Sequence, residues 1–397
     1  MIGAYYDVVV IGGGINGVGV AQAAAADGFS VLLIEKDSLA AGTSSRSSKL
    51  IHGGLRYLES WEFGLVRESL TERALLRRLA PDLVHLRDFY IPVYRETRRR
   101  PWLLRSGLSL YCLLSGFRIS ARFNTLPRRA WDRLDGLKTD GLNAVFHYRD
   151  AQTDDRLLTE AVMHSAQHLG AELACPARFT GAQLAGQGGK VFFRSGDAEH
   201  SCRTAVLVNA GGPWVNQVLD QIEPVPEPVG IDLVQGTHII VPGTLSQGFY
   251  YLESPRDGRA VFVMPWQGQV LVGTTETHFH GDPDQVRPLA TETRYLCGVL
   301  RHYFTAWKDL RSDQVESAFS GLRVLPADGG HLFHRSRETV LQADRPSAEG
   351  PPRVLSIYGG KLTTYRRTAA KVIEQIRPGL PARSPVADTA KLELELP

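Results

Sequence analysis

The first forty residues alternate short apolar runs with glycine-rich and polar joints. Residues 8–11 form one continuous apolar run, residues 18–26 carry small apolar side chains, and residues 31–34 form a second continuous run. Short uninterrupted apolar runs on either side of a helix are typical of parallel strands that are buried on both faces. This pattern predicts a β-α-β unit at the start of an α/β fold.

The joint between the first run and the helix has the spacing Gly-x-Gly-x-x-Gly, at Gly12, Gly14 and Gly17. The first glycine permits a tight turn, the second lets a pyrophosphate approach the backbone, and the third lets helix and strand pack closely. Glu35 ends the second run, where a carboxylate binds a ribose hydroxyl and disfavours a 2′-phosphate. The unit therefore predicts a site for FAD or NAD and argues against NADP.

The pattern changes twice farther along the chain. Helical spacing returns over residues 62–80, 148–171 and 365–376, residues 171–195 resemble a strand hairpin, and residues 205–209 form a buried strand. Between 225 and about 319, apolar positions alternate between turn residues, which is typical of an antiparallel sheet. We expect a Rossmann-like nucleotide-binding domain and an antiparallel-sheet substrate domain, or cap.

These changes predict a discontinuous division of the chain. The nucleotide-binding domain is expected at residues 1–95, 145–222 and 320–378, the cap at 96–144 and 223–319, and a loosely held tail at 379–397. The tail is expected to be loose because it is a proline-containing chain end.

Composition changes this picture little. The 397 residues are 43% hydrophobic and 22% charged, and a net charge of +3 is too small to indicate nucleic-acid binding. The four cysteines form no Cys-x-x-Cys pair, so they predict neither a metal site nor a disulfide framework. We expect a cytoplasmic protein, and the sequence leaves its oligomeric state open.

One segment, residues 98–122, combines arginines with an apolar helix. The apolar stretch 102–117 is too short to span a bilayer comfortably, and its leucines cover much of the helix circumference. Such a helix lies either in a membrane interface or in a protein core between basic ends. Contact with the inner face of the cytoplasmic membrane is therefore an open alternative.

Polar and charged residues are concentrated in residues 42–59, directly after the first β-α-β unit. Serine and threonine hydroxyls can bond phosphate or ring carbonyls, and two adjacent glycines let the backbone lie against a flat ring. His52 and Arg56 are four residues apart, so a helix would aim an imidazole and a guanidinium at one ligand. A solvated serine-rich loop is the alternative reading.

Two further joints predict contact with a ligand. Ala210 and Gly211 end a buried strand, where small residues suit a backbone that passes close to a cofactor, although a tight turn needs them too. Gly359 and Gly360 precede the last helix and predict a second anion site at a helix N-terminus.

Together these motifs resemble the flavin-dependent glycerol-3-phosphate dehydrogenases, members of the D-amino-acid-oxidase-like flavoprotein superfamily. The resemblance covers residues 7–376 and rests on segments 11–17, 43–59 and 358–365, with shorter matches at 263–266, 273–275 and 320–323. It implies FAD rather than NAD, bound without a covalent link.

The resemblance also implies roles for individual residues. The catalytic candidates are His52 as the base, His238 as the alternate base, and Arg323. The substrate-binding candidates are Arg56, Tyr57, Lys361 and Arg337. The cofactor-binding candidates are Gly12, Gly14, Ile15, Asn16, Gly17, Glu35, Lys36, Thr43, Ser44, Ser45, Ser48, Lys49, Leu50, Ala210, Gly211, Gly360, Lys361, Leu362 and Thr363. Loss of the substrate's hydroxyl proton to water, with arginine stabilising the resulting alkoxide, is a further route, and no metal is implied.

The implied reaction is oxidation of sn-glycerol 3-phosphate to dihydroxyacetone phosphate, with a hydride passing from C2 to flavin N5 and electrons passing to a quinone. The chain departs from the family pattern in Asp154-Asp155-Arg156, at Glu276 in place of aspartate, and after Arg323. We also expect it to lack the family's usual C-terminal helical domain. The alternatives are a paralogue that oxidises another phosphorylated or phosphonate alcohol, an oxygen-using oxidase, and a non-catalytic flavin-binding partner.

Overall fold

The computed structural model describes residues 3–327, 339–345, 347 and 350–396. Its helices are α1 (Ile15–Ala26), α2 (Phe63–Leu79), α3 (Pro101–Leu114), α4 (Asp155–His168), α5 (Val215–Leu219), α6 (Ala290–Tyr303) and α7 (Tyr365–Ile376). Its strands are β1 (Tyr5–Ile11), β2 (Val31–Ile34), β3 (Leu50–Ile51), β4 (His85–Tyr94), β5 (Asn124–Thr125), β6 (Leu142–Gln152), β7 (Glu172–Ala174), β8 (Arg178–Leu184), β9 (Gly189–Ser195), β10 (Ala198–Asn209), β11 (Ile222–Glu223), β12 (Ile231–Val241), β13 (Phe249–Glu253), β14 (Ala260–Trp266), β15 (Gln269–Gly273), β16 (Thr277–Phe279), β17 (Ser317–Pro326), β18 (Val340–Asp344) and β19 (Val354–Tyr358). These strands form two sheets.

The first sheet has the strand order β11-β8-β9-β10-β1-β2-β7, and β19 joins β10 on one side and β18 on the other. At its centre β1 runs parallel to β2 and β10, so that Val9 aligns with Leu32 and Leu207. All three side chains are fully buried because layers cover both faces of the sheet. The β-α-β unit that the apolar runs predicted is confirmed.

The second sheet has the order β16-β12-β15-β14-β13-β4-β6-β3, with β17 beside β12 and β5 beside β6. It is mostly antiparallel, as the alternation after residue 225 predicted, and β13 with β4 is a parallel pair. Helix α6 packs Leu296 and Leu300 against this sheet in a core that is separate from that of the first sheet. The α/β fold with an antiparallel second sheet is confirmed.

Strand pairing corrects three of the expected boundaries. Strands β4 and β6 pair with each other in the second sheet, and β17 pairs with β12 along its whole length. Residues 85–94, 145–152 and 320–326 therefore belong with the cap sheet rather than with the nucleotide-binding domain. Residues 148–152 were expected in a helix, but they extend β6, because a ladder partner about sixty residues away overrides the local spacing.

The C-terminal segment also differs from expectation. The backbone N–H groups of Val386 and Ala387 donate to the Ala26 carbonyl oxygen at 2.8 and 3.1 Å, and that of Leu394 donates to Leu79 at 2.6 Å. Leu394 is buried in the core that includes α1 and α7. The expectation of a loose tail is therefore wrong, because backbone hydrogen bonds and one apolar anchor hold this segment against the first domain.

Helix α3 lies on the second sheet with one face outward. Leu104, Leu108 and Tyr111 point inward, whereas Trp102 and Leu113 are exposed. No helix in the described part of the chain combines the length and the apolar character needed to cross a membrane.

Candidate functional site

A cavity of about 590 Å³ lies between the two sheets. This volume is within the range of small-molecule and cofactor sites. The candidates from the sequence that line it are Gly12, Gly14, Ile15, Asn16, Glu35, Lys36, Thr43, Ser44, Ser48, Leu50, His52, Arg56, Tyr57, Ala210, Gly211, His238, Arg323, Gly360, Lys361, Leu362 and Thr363. Gly17, Ser45 and Lys49 are outside this lining, and Arg337 lies outside the described residues.

The three glycines of the first turn meet different surroundings. A Cβ atom on Gly12 would lie 2.6 Å from the carbonyl oxygen of Ala210, and a Cβ atom on Gly17 would lie 1.9 Å from that of Gly12. Among the described residues, a Cβ atom on Gly14 would meet only Ser44 Oγ within 4 Å, at 3.1 Å. Gly12 and Gly17 are therefore required by backbone packing, while Gly14 leaves the cavity side of the turn open to a ligand.

Helix α1 points its N-terminus at this open side. Its N-cap is Gly14, which has no side chain of its own to cap the helix, and its first turn contains no acidic residue. Ser44 Oγ accepts a hydrogen bond from the backbone N–H of Ile15 at 2.9 Å, which ties the following loop to the helix. A helix N-terminus that begins at a glycine turn suits the pyrophosphate of a dinucleotide.

Glu35 closes the turn from the side of β2. Its Oε2 accepts the backbone N–H of Gly13 at 2.6 Å, and its Oε1 accepts that of Asp37 at 2.8 Å. A carboxylate has about four acceptor positions, so two of them stay available for ribose hydroxyls. Glu35 can thus shape the turn and bind a ribose at the same time.

The far end of the cavity is closed by groups from both domains. Lys36 Nζ lies 4.0 Å above the Trp214 ring and 2.8 Å from Asp284 Oδ1. Asp284 comes from the segment between β16 and α6, so this contact joins the two domains across the cavity. Trp214 was not among the predicted site residues, although it lies three residues after the predicted joint at Ala210 and Gly211.

The C-terminal glycine turn meets the first turn directly. Asn16 Nδ2 donates to the Gly359 carbonyl oxygen at 3.1 Å, and a Cβ atom on Gly360 would lie 2.4 Å from Asn16 Nδ2. Thr363 Oγ1 accepts the backbone N–H of His52 at 3.1 Å. Motifs that are more than 300 residues apart in sequence therefore form one wall.

The serine-rich loop is anchored by its side chains to the rest of the fold. Thr43 Oγ1 donates to the Leu322 carbonyl oxygen at 2.7 Å, which fixes the loop to β17. Lys49 Nζ lies 2.5 Å from Asp155 Oδ1 and donates to the Ser45 carbonyl oxygen at 2.6 Å. The Lys49 ammonium is thus engaged in a buried ion pair with Asp155 rather than lining the cavity, and the cofactor-binding role predicted for Ser45 and Lys49 stays a prediction.

Cationic side chains from three distant segments line the other half of the cavity. Arg56 follows β3, Arg323 lies on β17, and Lys361 precedes α7. Lys361 Nζ lies 3.8 Å from the centre of the Tyr57 ring, which is within cation–π range. The structure thus brings together the substrate-binding candidates that it describes.

A carboxylate lies among these cations. It belongs to Glu276, which the sequence marked only as a departure from the family pattern. Glu276 Oε1 is 3.2 Å from Arg56 Nη1 and 2.9 Å from Arg323 Nη1. Two more groups in this wall were missed, namely Arg259, which donates to the Glu276 carbonyl oxygen at 2.7 Å, and the buried Tyr251. Their signal in sequence is weak, because an isolated arginine or tyrosine in or beside a strand is common.

His238 is buried at the join between the two halves. Its Nε2 lies 2.9 Å from Ser48 Oγ, and its ring stacks on Phe319 with a centroid distance of 5.0 Å. Burial, together with the smaller effect of the charges of Arg323 and Lys49, lowers its pKa to about 3. The imidazole is therefore neutral at physiological pH.

A buried series of hydrogen bonds supports the loop that carries His52. The backbone N–H of Gly53 donates to the Tyr111 hydroxyl at 2.9 Å, and that hydroxyl donates to Asp150 Oδ2 at 2.8 Å. Asp150 also forms an ion pair with Arg73 at 2.6 Å. Burial and the Asp150 carboxylate raise the pKa of Tyr111, so its hydroxyl keeps the proton that it donates.

Comparison with known proteins adds an independent line of observation. A family model described as FAD dependent oxidoreductase matches residues 7–366. The aerobic glycerol-3-phosphate dehydrogenase of Escherichia coli K12 is 38% identical over 378 residues, which cover 94% of this chain and 73% of that protein. The D-erythritol 1-phosphate dehydrogenase of Brucella abortus is 37% identical over 375 residues, with 94% and 73% covered.

A solved structure agrees with these sequence similarities. The glycerol-3-phosphate dehydrogenase of Bacillus halodurans, complexed with FAD, superposes with a TM-score of 0.75 at 26% identity, covering 98% of this chain and 68% of that one. The open glycine turn, the N-terminus of α1 and the Glu35 carboxylate are the features that the diphosphate and ribose of such a cofactor require.

Proposed function

Because this chain belongs to the FAD-dependent oxidoreductase family, we propose that it oxidises sn-glycerol 3-phosphate to dihydroxyacetone phosphate. It is a flavoprotein, and its relatives act on the CH–OH group of phosphorylated alcohols. The observation that carries the proposal is the convergence of Arg56, Arg323 and Lys361 in one cavity with the glycine turn.

Three cations in one wall favour an anionic substrate. Guanidinium and ammonium groups bind phosphate oxygens through charge-assisted hydrogen bonds, which are about twice as strong as neutral ones. Arg56 and Arg323 are each about one-quarter exposed, so water screens them only partly. A phosphorylated alcohol fits this wall better than a neutral alcohol does.

FAD, when bound, supplies the two-electron acceptor for the hydrogen on C2 of the substrate. The glycine turn, the N-terminus of α1 and Glu35 would hold its diphosphate and ribose. We assign the removal of the hydroxyl proton to His52, which lines the cavity four residues before Arg56. His238 serves as the alternate, but its lowered pKa makes it a weak base.

Anaerobic flavin reduction tests the substrate directly. We expect glycerol 3-phosphate to bleach the flavin absorbance of the purified holoenzyme, and free glycerol to leave it unchanged. D-erythritol 1-phosphate is included because a 37% identical relative is named for it. If the flavin stays oxidised with glycerol 3-phosphate, that substrate is rejected, and bleaching by another phosphorylated or phosphonate alcohol alone would favour the paralogue.

The electron acceptor is a separate part of the proposal. We propose a quinone, and turnover with a soluble quinone analogue should be much faster than turnover with oxygen. Rapid peroxide production without quinone would identify an oxidase instead.

We also propose that the region around α3 lies on the inner face of the cytoplasmic membrane. Large apolar side chains are exposed there at Trp61, Trp102, Leu103, Leu113, Phe117 and Ile119. Exposed arginines flank them, with Arg98 and Arg100 before α3 and Arg118 and Arg122 after it. Apolar side chains beside basic ones are typical of a surface that binds anionic lipids.

Vesicle co-sedimentation tests this surface. The double substitution Trp102→Ser with Phe117→Ser should weaken binding of the holoenzyme to vesicles that contain anionic phospholipid. The control replaces two apolar residues exposed elsewhere, Val225→Ser and Val386→Ser, and should bind as the parent does. Equal loss in both proteins, or no binding by the parent, would contradict the proposed surface.

A further inference from the structure

Glu276 lies between the two arginines on which the proposed substrate site depends. Its Oε1 atom is within 3.2 Å of both Nη1 atoms, and its side chain is only 6% exposed. The hydrogen bond from Arg259 fixes its backbone carbonyl at 2.7 Å. The carboxylate is therefore held in place and faces the same cavity as the guanidinium groups.

This carboxylate stabilises the arginines before any ligand arrives. Arg56, Arg259, Arg323 and Lys361 put four positive charges on one partly buried wall, and such charges repel each other more strongly than they would in water. One carboxylate reduces that charge by one and orients the Nη1 atoms of Arg56 and Arg323 through charge-assisted hydrogen bonds. The same contacts, however, engage donors that an incoming anion needs.

We propose that Glu276 is an internal counter-ion, which the anionic group of the substrate has to displace from Arg56 and Arg323. This inference rests on the proposed function and deepens it, since it concerns how tightly that site binds anions. Glu276 acts through the arginines and is therefore a positioning residue. It lowers the affinity for anionic substrate and product alike, so it sets KM rather than the rate of hydride transfer.

The test compares E276Q with the parent, both loaded with FAD. Glutamine keeps the shape and one acceptor oxygen but removes the negative charge. We expect the Kd for sulfate, measured by calorimetry at constant ionic strength, to fall roughly ten-fold, which equals about 1.4 kcal/mol. The KM for glycerol 3-phosphate should fall by a similar factor, while the rate of flavin reduction at saturating substrate changes by less than about two-fold.

Two further variants complete the test. E199Q makes the same chemical change on the exposed part of β10 and should leave both constants unaltered. E276D shortens the side chain by one methylene and draws the carboxylate back from the arginines, so its sulfate Kd should lie between those of the parent and E276Q. E276D also provides a second measurement if E276Q does not fold.

Sulfate binding by E276Q that is no tighter than that of the parent, including no binding by either protein, would overturn the proposal. A rise in both Kd and KM would overturn it too, because the carboxylate would then be needed to hold the arginines for the ligand. The sulfate titration requires no turnover. A parent enzyme that glycerol 3-phosphate does not reduce would therefore reject the proposed function, while a lower sulfate Kd in E276Q would still support the counter-ion.

Discussion

The two halves of the cavity are lined by different kinds of groups, backbone atoms in one and charged side chains in the other. Around the glycine turn the walls are mostly backbone, with Gly12 pressed against the Ala210 carbonyl and Gly14 open to the ligand. Around Arg56 and Arg323 the walls are charged side chains, each already engaged with Glu276. Backbone packing fixes the shape of the first half, whereas ion pairs between side chains determine the charge of the second.

This difference determines how each half responds to substitution. A backbone wall has no room for an added atom, so a single methyl group there displaces main chain. A charged wall keeps its shape when one charge is lost, but its affinity for anions changes. We therefore expect changes in the first half to affect cofactor retention and folding, and changes in the second to affect kinetic constants.

The largest effect is expected from Gly17→Ala. The new Cβ atom would lie 1.9 Å from the Gly12 carbonyl oxygen, so α1 has to move away from the turn. We expect a loss of about 3 kcal/mol or more of stability and little bound FAD, measured by thermal unfolding and by the flavin-to-protein absorbance ratio. Gly64→Ala, in a helix with nothing within 4 Å, is the control and should fold and bind FAD normally. Normal FAD content in Gly17→Ala would contradict the backbone account.

Arg323→Ala comes next. Removing one charge-assisted partner of the substrate should lower kcat/KM for glycerol 3-phosphate by about 100-fold, or about 2.7 kcal/mol, while FAD content stays normal. Steady-state kinetics and flavin absorbance measure the two effects separately. Arg156→Ala, on the exposed start of α4, is the matched control. Loss of FAD without a change in kcat/KM would contradict this role, because it would show that Arg323 acts in the nucleotide half of the cavity and not in substrate binding.

Tyr111→Phe tests the support beneath His52. The change removes the acceptor of the Gly53 N–H and the donor to Asp150, both buried, so the free energy of unfolding should fall by about 1–3 kcal/mol. Flavin reduction should also slow, since the His52 loop loses an anchor. Tyr5→Phe, on an exposed ring, is the control for chemical denaturation. A variant as stable as the parent would show that this hydrogen-bond chain contributes nothing measurable.

His238 makes stability depend on pH. Its folded pKa of about 3 lies below the usual value of 6.5, so below pH 6.5 the unfolded chain binds a proton that the folded chain does not. Stability is therefore lost as pH falls from 6.5 toward 3, by about 1.4 kcal/mol at pH 5.5. His238→Gln removes this contribution and should lose less stability between pH 7.5 and 5.5 in denaturation experiments. The exposed His85→Gln control should follow the parent, and a parallel loss in His238→Gln would refute the assignment.

The smallest effect is expected from Lys36→Ala. Its ion pair with Asp284 and its contact with Trp214 are partly exposed, and such contacts contribute about 0.5–1 kcal/mol. FAD should therefore dissociate only about two- to five-fold faster, measured by recovery of flavin fluorescence. Lys308→Ala, on the surface of the cap, is the control. A much larger effect would mean that side chains, and not only backbone, hold the nucleotide half.

The two halves also differ in how well sequence anticipated them. Gly12, Gly14, Gly17 and Glu35 lie within 24 consecutive residues, so their spacing alone predicted the turn and its ligand class. Glu276 and Arg259 are separated from Arg56 by about 200 residues, and only strand pairing places them in one wall. Lys49 is the opposite case. It lies within the predicted binding loop, yet its side chain pairs with Asp155, which is more than 100 residues away in sequence.

The sequence by itself determined the β-α-β unit, the dinucleotide turn, the antiparallel second sheet and the chemical types available to the site. Those features depend on local periodicity and on glycine spacing, which neighbouring residues along the chain specify. Only the tertiary structure decided that β4, β6 and β17 belong to the second sheet, that the C-terminal segment is packed, and that Glu276 pairs with both arginines. These outcomes depend on contacts between distant segments, where burial and charge pairing act across space and leave no periodic signal in the chain.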